Sequence, residues 1–265
     1  MHITKKQWRL VGVVVAILAL AGVYYAKIHE SALPSLSPSV LELNSATTST
    51  AVPSVAASTN TDVAKLVINP ADAITAWNFK GAYTGNEALT AQADADITRL
   101  TELLGKGEYD DYDLYIGIAN DCGLLGEGTL AYQYYTRAIA VHPNKGLAYV
   151  NLAHLFDQLG AFHSAADAYA RATTVEAGML EYHIERLTFL TRTFPNDATR
   201  IAAALTAVSK QFGDNASILA IEAQWLTGQK RYVDAIGAWE KAKLISPGKD
   251  TSSIDAAIAE LKAKQ

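Results

Sequence analysis

Two consecutive stretches of the sequence decide the fold of this chain. Residues 112–145 read YDLYIGIANDCGLLGEGTLAYQYYTRAIAVHPNK, and residues 146–179 read GLAYVNLAHLFDQLGAFHSAADAYARATTVEAGM. Nearly all of the following pairs, each 34 residues apart, keep their size and chemistry: Tyr115 and Tyr149, Ile118 and Leu152, Ala119 and Ala153, Cys122 and Phe156, Gly126 and Gly160, Ala131 and Ala165, Tyr135 and Tyr169, Ala138 and Ala172, Pro143 and Ala177. Self-similarity at this period is typical of stacked helical hairpins.

Each stretch predicts two helices that pack against each other. The apolar face of the first helix follows the i, i+3, i+4, i+7 spacing at Tyr115, Ile118, Ala119 and Cys122. Gly126 then suits the left-handed residue that ends a helix. The facing stripe of the second helix consists of Ala131, Tyr135 and Ala138, and Pro143 ends that helix. The single cysteine, Cys122, is therefore predicted to be a small buried hydrophobe.

This pattern is similar to the tetratricopeptide repeat (TPR), in which small, aromatic, Gly and Pro residues recur over 34 residues. A third copy lies at Leu219, Ala223, Leu226, Tyr232, Ala235, Trp239, Ala242 and Pro247. The resemblance implies an all-α solenoid of helical hairpins. We expect this array to span residues 112–249, with clear repeats at 112–145, 146–179 and 216–249. A divergent hairpin at 180–215, whose register the sequence leaves open, completes it.

Both ends of the array are predicted to carry caps, because the terminal units of a stack must cover an apolar face. Residues 68–111 form the first cap. It contains a helix from Asn86 to Leu104 and a shorter segment with Trp77 and Phe79, which we expect to pack against the first repeat. Residues 250–265 form a C-terminal capping helix.

The N-terminal part of the chain predicts a membrane anchor followed by a tether. Residues 10–26 carry no charge and are about 25 Å long as a helix at ~1.5 Å per residue, which is near the short end for a transmembrane helix or signal anchor. The basic residues within 1–9 place that end in the cytoplasm and the repeats on the extracytoplasmic side. The alternative is a cleaved signal peptide, since Ala19-Leu20-Ala21 resembles a cleavage site. Residues 27–67 are rich in Ser, Thr and Pro and predict a disordered linker.

The residues with reactive or ligating side chains form no catalytic or metal-binding pattern. The six histidines are scattered, and no phosphate-binding glycine loop follows a strand. An acidic cluster at Glu108, Asp110, Asp111 and Asp113 has two interpretations, a cation site or the acidic start of a helix, and the macrodipole favours the second. We therefore expect no enzyme activity, no cofactor and no metal. The formal net charge of −5 gives no electrostatic case for nucleic acid.

The resemblance implies a peptide-binding groove on the concave side of the array, lined by the first helix of each hairpin. The residues predicted to line it are Ile116, Asn120, Val150, Asn151, His154, Asp157, Gln158, Ile221 and Gln224. Their amides suit the backbone of a ligand, and their aliphatic side chains suit its apolar residues. The basic clamp that the family uses for a C-terminal carboxylate is poorly matched, because Ile116 stands where a Lys is expected.

These patterns together predict a membrane-tethered adaptor that binds a peptide or helix of a protein partner, in an envelope or secretion-linked assembly. The anchor would raise the effective concentration of the repeats for partners at the membrane. Two alternatives stay open. One is a structural protein that associates with itself as a homo-oligomer, and the other is a non-catalytic subunit that activates a membrane-associated enzyme.

Overall fold

The computed structural model describes residues 68–247 and 250–265, and these residues form an all-α array. Within them lie ten helices, numbered here along the chain: α1 Glu87–Leu103, α2 Asp111–Leu125, α3 Gly128–Val141, α4 Leu147–Gln158, α5 Phe162–Val175, α6 Leu180–Thr193, α7 Ala198–Phe212, α8 Ala216–Gly228, α9 Tyr232–Leu244 and α10 Ser252–Lys262. The pairs α2–α3, α4–α5, α6–α7 and α8–α9 are hairpins 1 to 4. Helices α1 and α10 pack against α2 and α9.

The hairpins repeat with a nearly constant period. Their second helices begin at Gly128, Phe162, Ala198 and Tyr232, which are 34, 36 and 34 residues apart. Hairpin 3 therefore belongs to the same stack, with two additional residues between the starts of α5 and α7. The prediction of an all-α repeat solenoid is confirmed, and the register of hairpin 3 follows from α6 and α7.

The turns inside the hairpins explain why glycine recurs there. Gly126 and Gly160 end the first helices of hairpins 1 and 2 with φ of 85° and 72°. In hairpin 4 the same place belongs to Lys230, a non-glycine residue at φ 60°. A left-handed residue reverses the chain after a helix and satisfies its last carbonyls. In hairpin 1, for example, the Glu127 amide donates to the carbonyl of Cys122 at 2.8 Å.

The core between the hairpins is built from small residues that let helices approach and aromatic rings that fill the layers. Ala119, Ala131 and Ala153 are fully buried, and Tyr149 and Phe156 are among the largest fully buried side chains. Full burial of a large aromatic side chain removes apolar surface worth about 2–3 kcal/mol. Cys122 is also buried, as predicted, and burial raises the pKa of its thiol to about 12, so the thiolate is not accessible at neutral pH.

The acidic cluster before hairpin 1 begins a helix. Asp110 is the N-cap of α2, and its carboxylate accepts a hydrogen bond from the Tyr112 amide at 3.0 Å. That backbone bond, together with bonds from Lys145 and His142 that outweigh burial, holds the pKa of Asp110 below its usual value. Among residues 68–247 and 250–265, no group of His, Cys, Asp and Glu side chains is arranged to hold a metal ion.

Before α1, residues 68–83 cross the edge of the array as an extended strap. The Phe79 amide donates to the Gly126 carbonyl and the Tyr83 amide to the Leu124 carbonyl, both at 3.1 Å. The Trp77 ring lies 5.1 Å from the ring of Tyr132 on α3. The prediction that the Trp77 segment packs against the first repeat is confirmed.

The strap also reaches hairpin 2, which the sequence did not predict. The Asp72 carboxylate accepts hydrogen bonds from the amides of His163 at 3.2 Å and Ser164 at 2.6 Å, and from the Ser164 hydroxyl at 2.7 Å. The Nδ1 atom of His163 lies 3.0 Å from the same carboxylate. Ala161, the N-cap residue of α5, offers no side-chain acceptor. Asp72 therefore caps α5 from a distant part of the chain.

The predicted membrane helix at 10–26 and the predicted linker at 27–67 lie outside the described residues. None of the helices between residues 68 and 265 that the structure describes is both long and apolar enough to cross a membrane. The location of the protein therefore stays a prediction from sequence.

Candidate functional site

The first helices α2, α4, α6 and α8 form one face of the array, called here the first-helix face. It carries all nine residues that the sequence analysis assigned to a groove. Ile116 and Val150 are only 5% and 2% exposed, so the structure corrects the expectation that they meet a ligand. Ile221 is half-buried and packs against the same core. Because neighbouring first helices lie side by side, these aliphatic side chains fill the seam between them.

Two of the predicted amides contact each other across hairpins 1 and 2. Asn151 on α4 donates through Nδ2 to Oδ1 of Asn120 on α2 at 3.1 Å. The Tyr135 hydroxyl on α3 donates to the same oxygen at 2.7 Å. Three helices are thus joined at Asn120, whose side chain is only partly exposed. Asn120 therefore mainly holds hairpins 1 and 2 in register.

A second pair of polar links joins hairpins 2 and 3. His154 Nε2 lies 2.7 Å from Glu185 Oε2, and Asp157 forms an ion pair with Arg192. With the Asn120–Asn151 contact these links form a row along the first-helix face, called here the polar ladder. Surface ion pairs of this kind contribute on the order of 0–1 kcal/mol each, so they set geometry more than stability.

The polar ladder stops between hairpins 3 and 4, where a cavity opens instead. The cavity holds about 460 Å³ and lies between α6 and α8. Its lining includes Thr188, Arg192, Asn196, Gln224, Trp225 and Gln229. Trp225 Nε1 and Gln229 Nε2 both donate to the Pro195 carbonyl, at 2.8 and 2.9 Å, and fix α8 to the turn before α7. Thr188, Asn196 and Gln224 are exposed and present hydrogen-bonding groups to this space.

The structure divides the predicted residues into three groups. The aliphatic members are in the core or packed on it, and Asn120, Asn151, His154 and Asp157 belong to the polar ladder. Gln158 and Gln224 are exposed, and Gln224 lines the cavity. Glu185, Arg192 and Pro195 were not predicted from sequence, because they lie in the divergent hairpin whose register the sequence leaves open. The 31-residue spacing of His154 and Glu185, equal to that of Asn120 and Asn151, was the available signal.

Among the described residues, burial raises the pKa of two carboxyl groups. Burial, with repulsion from Asp96 and a smaller opposing effect of Arg99, raises the pKa of Asp121 to about 6. Burial also raises the pKa of Glu222, although Lys241 and Arg231 oppose it. Perturbed carboxyl groups mark candidate sites when other reactive groups contact them. Asp121 faces Asp96 and Arg99 on α1. Glu222 faces a groove on the side of α8 opposite the cavity between α6 and α8.

No protein-family model matches the chain, and no curated protein sequence matches it. Among solved structures, BtubC (BKLC) from P. vanneervenii is similar, with 16% sequence identity over 67% of this chain and 83% of that chain, and a TM-score of 0.48. TTC0263, a thermophilic TPR protein in Thermus thermophilus, is 18% identical over 66% of this chain and 96% of that chain, with a TM-score of 0.44. The repeat architecture of this chain is established by the period and turns of its own hairpins.

Proposed function

We propose that the chain is an interaction scaffold whose first-helix face binds an extended segment of a partner protein. The observation that carries this proposal is the cavity of about 460 Å³ between α6 and α8. There the polar ladder ends and exposed donors and acceptors face open space. Ligand sites are concave and combine apolar walls with a few placed polar groups, and Trp225 together with Thr188 and Gln224 supplies that combination.

The exposed amides support binding to a backbone. An amide offers both a donor and an acceptor, which is what the peptide groups of an extended segment require. Gln158 on α4 and Gln224 on α8 are both exposed on the first-helix face. The side chains of Asn120, Asn151 and His154 already contact other residues of this chain. Their main role in the proposal is therefore to hold the helices of the first-helix face in place. The chain acts in this proposal as a binding protein, and no catalytic step or cofactor is part of it.

Affinity capture with a matched pair of variants tests this function. The site variant carries Gln158→Ala, Thr188→Ala and Gln224→Ala, and the control carries Gln133→Ala and Gln211→Ala on exposed positions of α3 and α7. Each lost hydrogen bond costs about 1 kcal/mol, so partners retained by the control are expected to fall at least about tenfold with the site variant. Equal recovery by the two variants would remove the first-helix face as the site.

We also propose that residues 10–26 hold this scaffold at a membrane, with residues 1–9 in the cytoplasm and the repeats on the other side. Support comes from the uncharged run and the basic residues before it. The test is alkaline extraction of membranes that contain the full chain, with N-terminal sequencing of the product. Retention of an intact chain is expected. Release into the supernatant, or a new N-terminus near residue 21, would instead establish a soluble or a processed protein.

A further inference from the structure

The strap occupies a groove between the second helices of hairpins 1 and 2. The Trp77 ring packs on Tyr132 of α3, and Tyr132 in turn lies 6.0 Å from Phe156 of α4. At the other end of the groove Asp72 caps α5. The fold thus contains one occupied example of an extended segment bound between two second helices.

The same groove recurs 70 residues further along the chain. Helices α3 and α7 begin at Gly128 and Ala198, and α5 and α9 begin at Phe162 and Tyr232, so both pairs are 70 residues apart. At this spacing Tyr132 corresponds to Ala202, Phe156 to Leu226, His163 to Val233 and Asp167 to Gly237. The second copy, called here the α7–α9 groove, is therefore built from positions equivalent to those that hold the strap.

The α7–α9 groove is open in the part of the chain that the structure describes. It is a cavity of about 580 Å³ lined by Ala198, Ala202, Leu205, Leu226, Val233 and Gly237, among others. Val233 is 72% exposed. Ala202 replaces the ring of Tyr132, which leaves room for a large side chain above Leu226. An apolar surface of this kind is stabilised when an aromatic ring covers it and removes it from water.

The charges of the α7–α9 groove differ from those of the strap groove. Asp234 occupies the position equivalent to Ser164, the residue that donates to Asp72 in the strap groove. The Asp234 carboxylate forms an ion pair with Arg231 at 2.7 Å. An acidic side chain in the ligand would meet the Asp234 carboxylate there. The strap of this chain, from the same or a second copy, is therefore better matched to its own groove. A segment suited to the α7–α9 groove would lack that acid, and so would differ from the strap of this chain.

Glu222 adds a preference for a base. Its carboxyl group lines the groove, is half-buried, and accepts no hydrogen bond from residues 68–247 or 250–265. The charged groups near it are Lys241, Arg231, Asp214 and Asp234. In hairpin 2 the equivalent position is Leu152, which is fully buried, so the carboxyl group is specific to this groove. A donor from a ligand would satisfy it.

We propose that the α7–α9 groove binds an extended segment of another protein, with an aromatic side chain over Ala202 and a basic side chain directed to Glu222. This site lies on the second-helix side of α8, so it does not depend on the first-helix face. The α7–α9 groove and the cavity between α6 and α8 lie on either side of α8, and Trp225 of that helix lines both.

Three fluorescent peptides derived from the strap test the ligand chemistry against the full chain. The first has the sequence of residues 68–80, INPADAITAWNFK. The second carries Asp72→Lys, and the third adds Trp77→Ala to that change. By fluorescence anisotropy the second peptide is expected to bind at least about tenfold more tightly than either of the others, a difference of about 1.4 kcal/mol. Tighter binding of the Asp72 peptide, or indifference to Trp77→Ala, would overturn the proposal.

Protein variants locate the site. Ala202→Glu places a carboxylate where the ring should lie and is expected to abolish binding of the lysine peptide. Ala203→Glu, one residue along the same helix and also exposed, is the matched control and should not affect it. Asp234→Asn, which removes the carboxylate that residue 72 of the peptide would meet, should together with Glu222→Gln remove the preference for lysine over aspartate. Unchanged binding to Ala202→Glu, or a loss of binding with Gln224→Ala, would place the peptide elsewhere and refute the assignment.

Discussion

The side chain of Asp72 makes a long-range contact that also caps the N-terminus of α5. Its carboxylate is only 4% exposed and accepts hydrogen bonds from both His163 and Ser164 at the N-terminus of α5. Burial alone would raise its pKa, but the bonds from Ser164 and His163 outweigh burial, so the pKa lies below the ordinary 3.8. A depressed pKa means that the ionised carboxylate stabilises the fold above about pH 4.

Asp72→Asn is therefore expected to lower the free energy of unfolding by about 2 kcal/mol at pH 7, because an amide nitrogen would face the Ser164 amide. The difference from the parent chain should shrink as the pH falls through the folded pKa, since both proteins then lack the carboxylate. Urea unfolding at pH 7 and pH 3 measures both values. A difference that is equal at the two pH values would contradict the role of the charge.

The pKa of Asp121 is shifted in the opposite direction from that of Asp72. Its pKa is raised to about 6, so the protonated form is favoured in the folded chain, and its contribution is complete below about pH 4 and lost as the pH rises through 6. Asp121→Asn should raise the free energy of unfolding by about 1–2 kcal/mol at pH 8 and change it little at pH 4. Chemical unfolding across this range gives the answer. A variant that is destabilised at pH 8 would show that the carboxylate is satisfied by a partner.

At the scale of elements, the strap depends on close approach of two backbones. A Cβ atom on Gly81 would lie 2.2 Å from the Leu124 carbonyl oxygen, so the strap and the turn of hairpin 1 cannot both keep their places. Gly81→Ala is expected to release the strap and to speed hydrogen exchange at the amides of Phe79 and Tyr83 by at least about tenfold, since local opening then costs less free energy.

Gly123→Ala serves as the control for the strap prediction. Gly123 lies inside α2, and a Cβ atom there meets nothing within 4 Å. This change should stabilise the chain by about 0.5–1 kcal/mol through helix propensity. Unchanged exchange in Gly81→Ala, or equal effects of the two substitutions, would mean that the strap is not held by this contact.

The elements that could be predicted from sequence are those whose signal is periodic. Gly126 and Gly160 mark turns, and the 34-residue spacing places the hairpins around them. The contact of Asp72 with Ser164 has no period, because it joins residues 92 positions apart through two side chains of common types. Ile116 and Val150 were predicted to line a groove but are buried. Helix periodicity identifies the face of a helix on which a residue lies, but not which neighbouring helix covers the edge of that face.

At the scale of the whole molecule, the four hairpins make two faces with different characters. The first-helix face is linked by the polar ladder through Asn120, His154 and Asp157 and opens between hairpins 3 and 4. Among the residues that the structure describes, the second-helix side is covered by the strap at hairpins 1 and 2 and open at hairpins 3 and 4. Both openings meet at α8. Hairpin 3, the least regular in sequence, thus lines both openings.

We propose that partners bind the first-helix face at the cavity between α6 and α8. The most direct measurement is photo-crosslinking from benzoylphenylalanine placed at residue 224, with residue 133 on α3 as the matched control. Binding at this cavity predicts a discrete adduct with a partner protein from position 224, absent from position 133 and lost in the Thr188→Ala variant. Adducts of equal yield from both positions, or from position 133 alone, would contradict it.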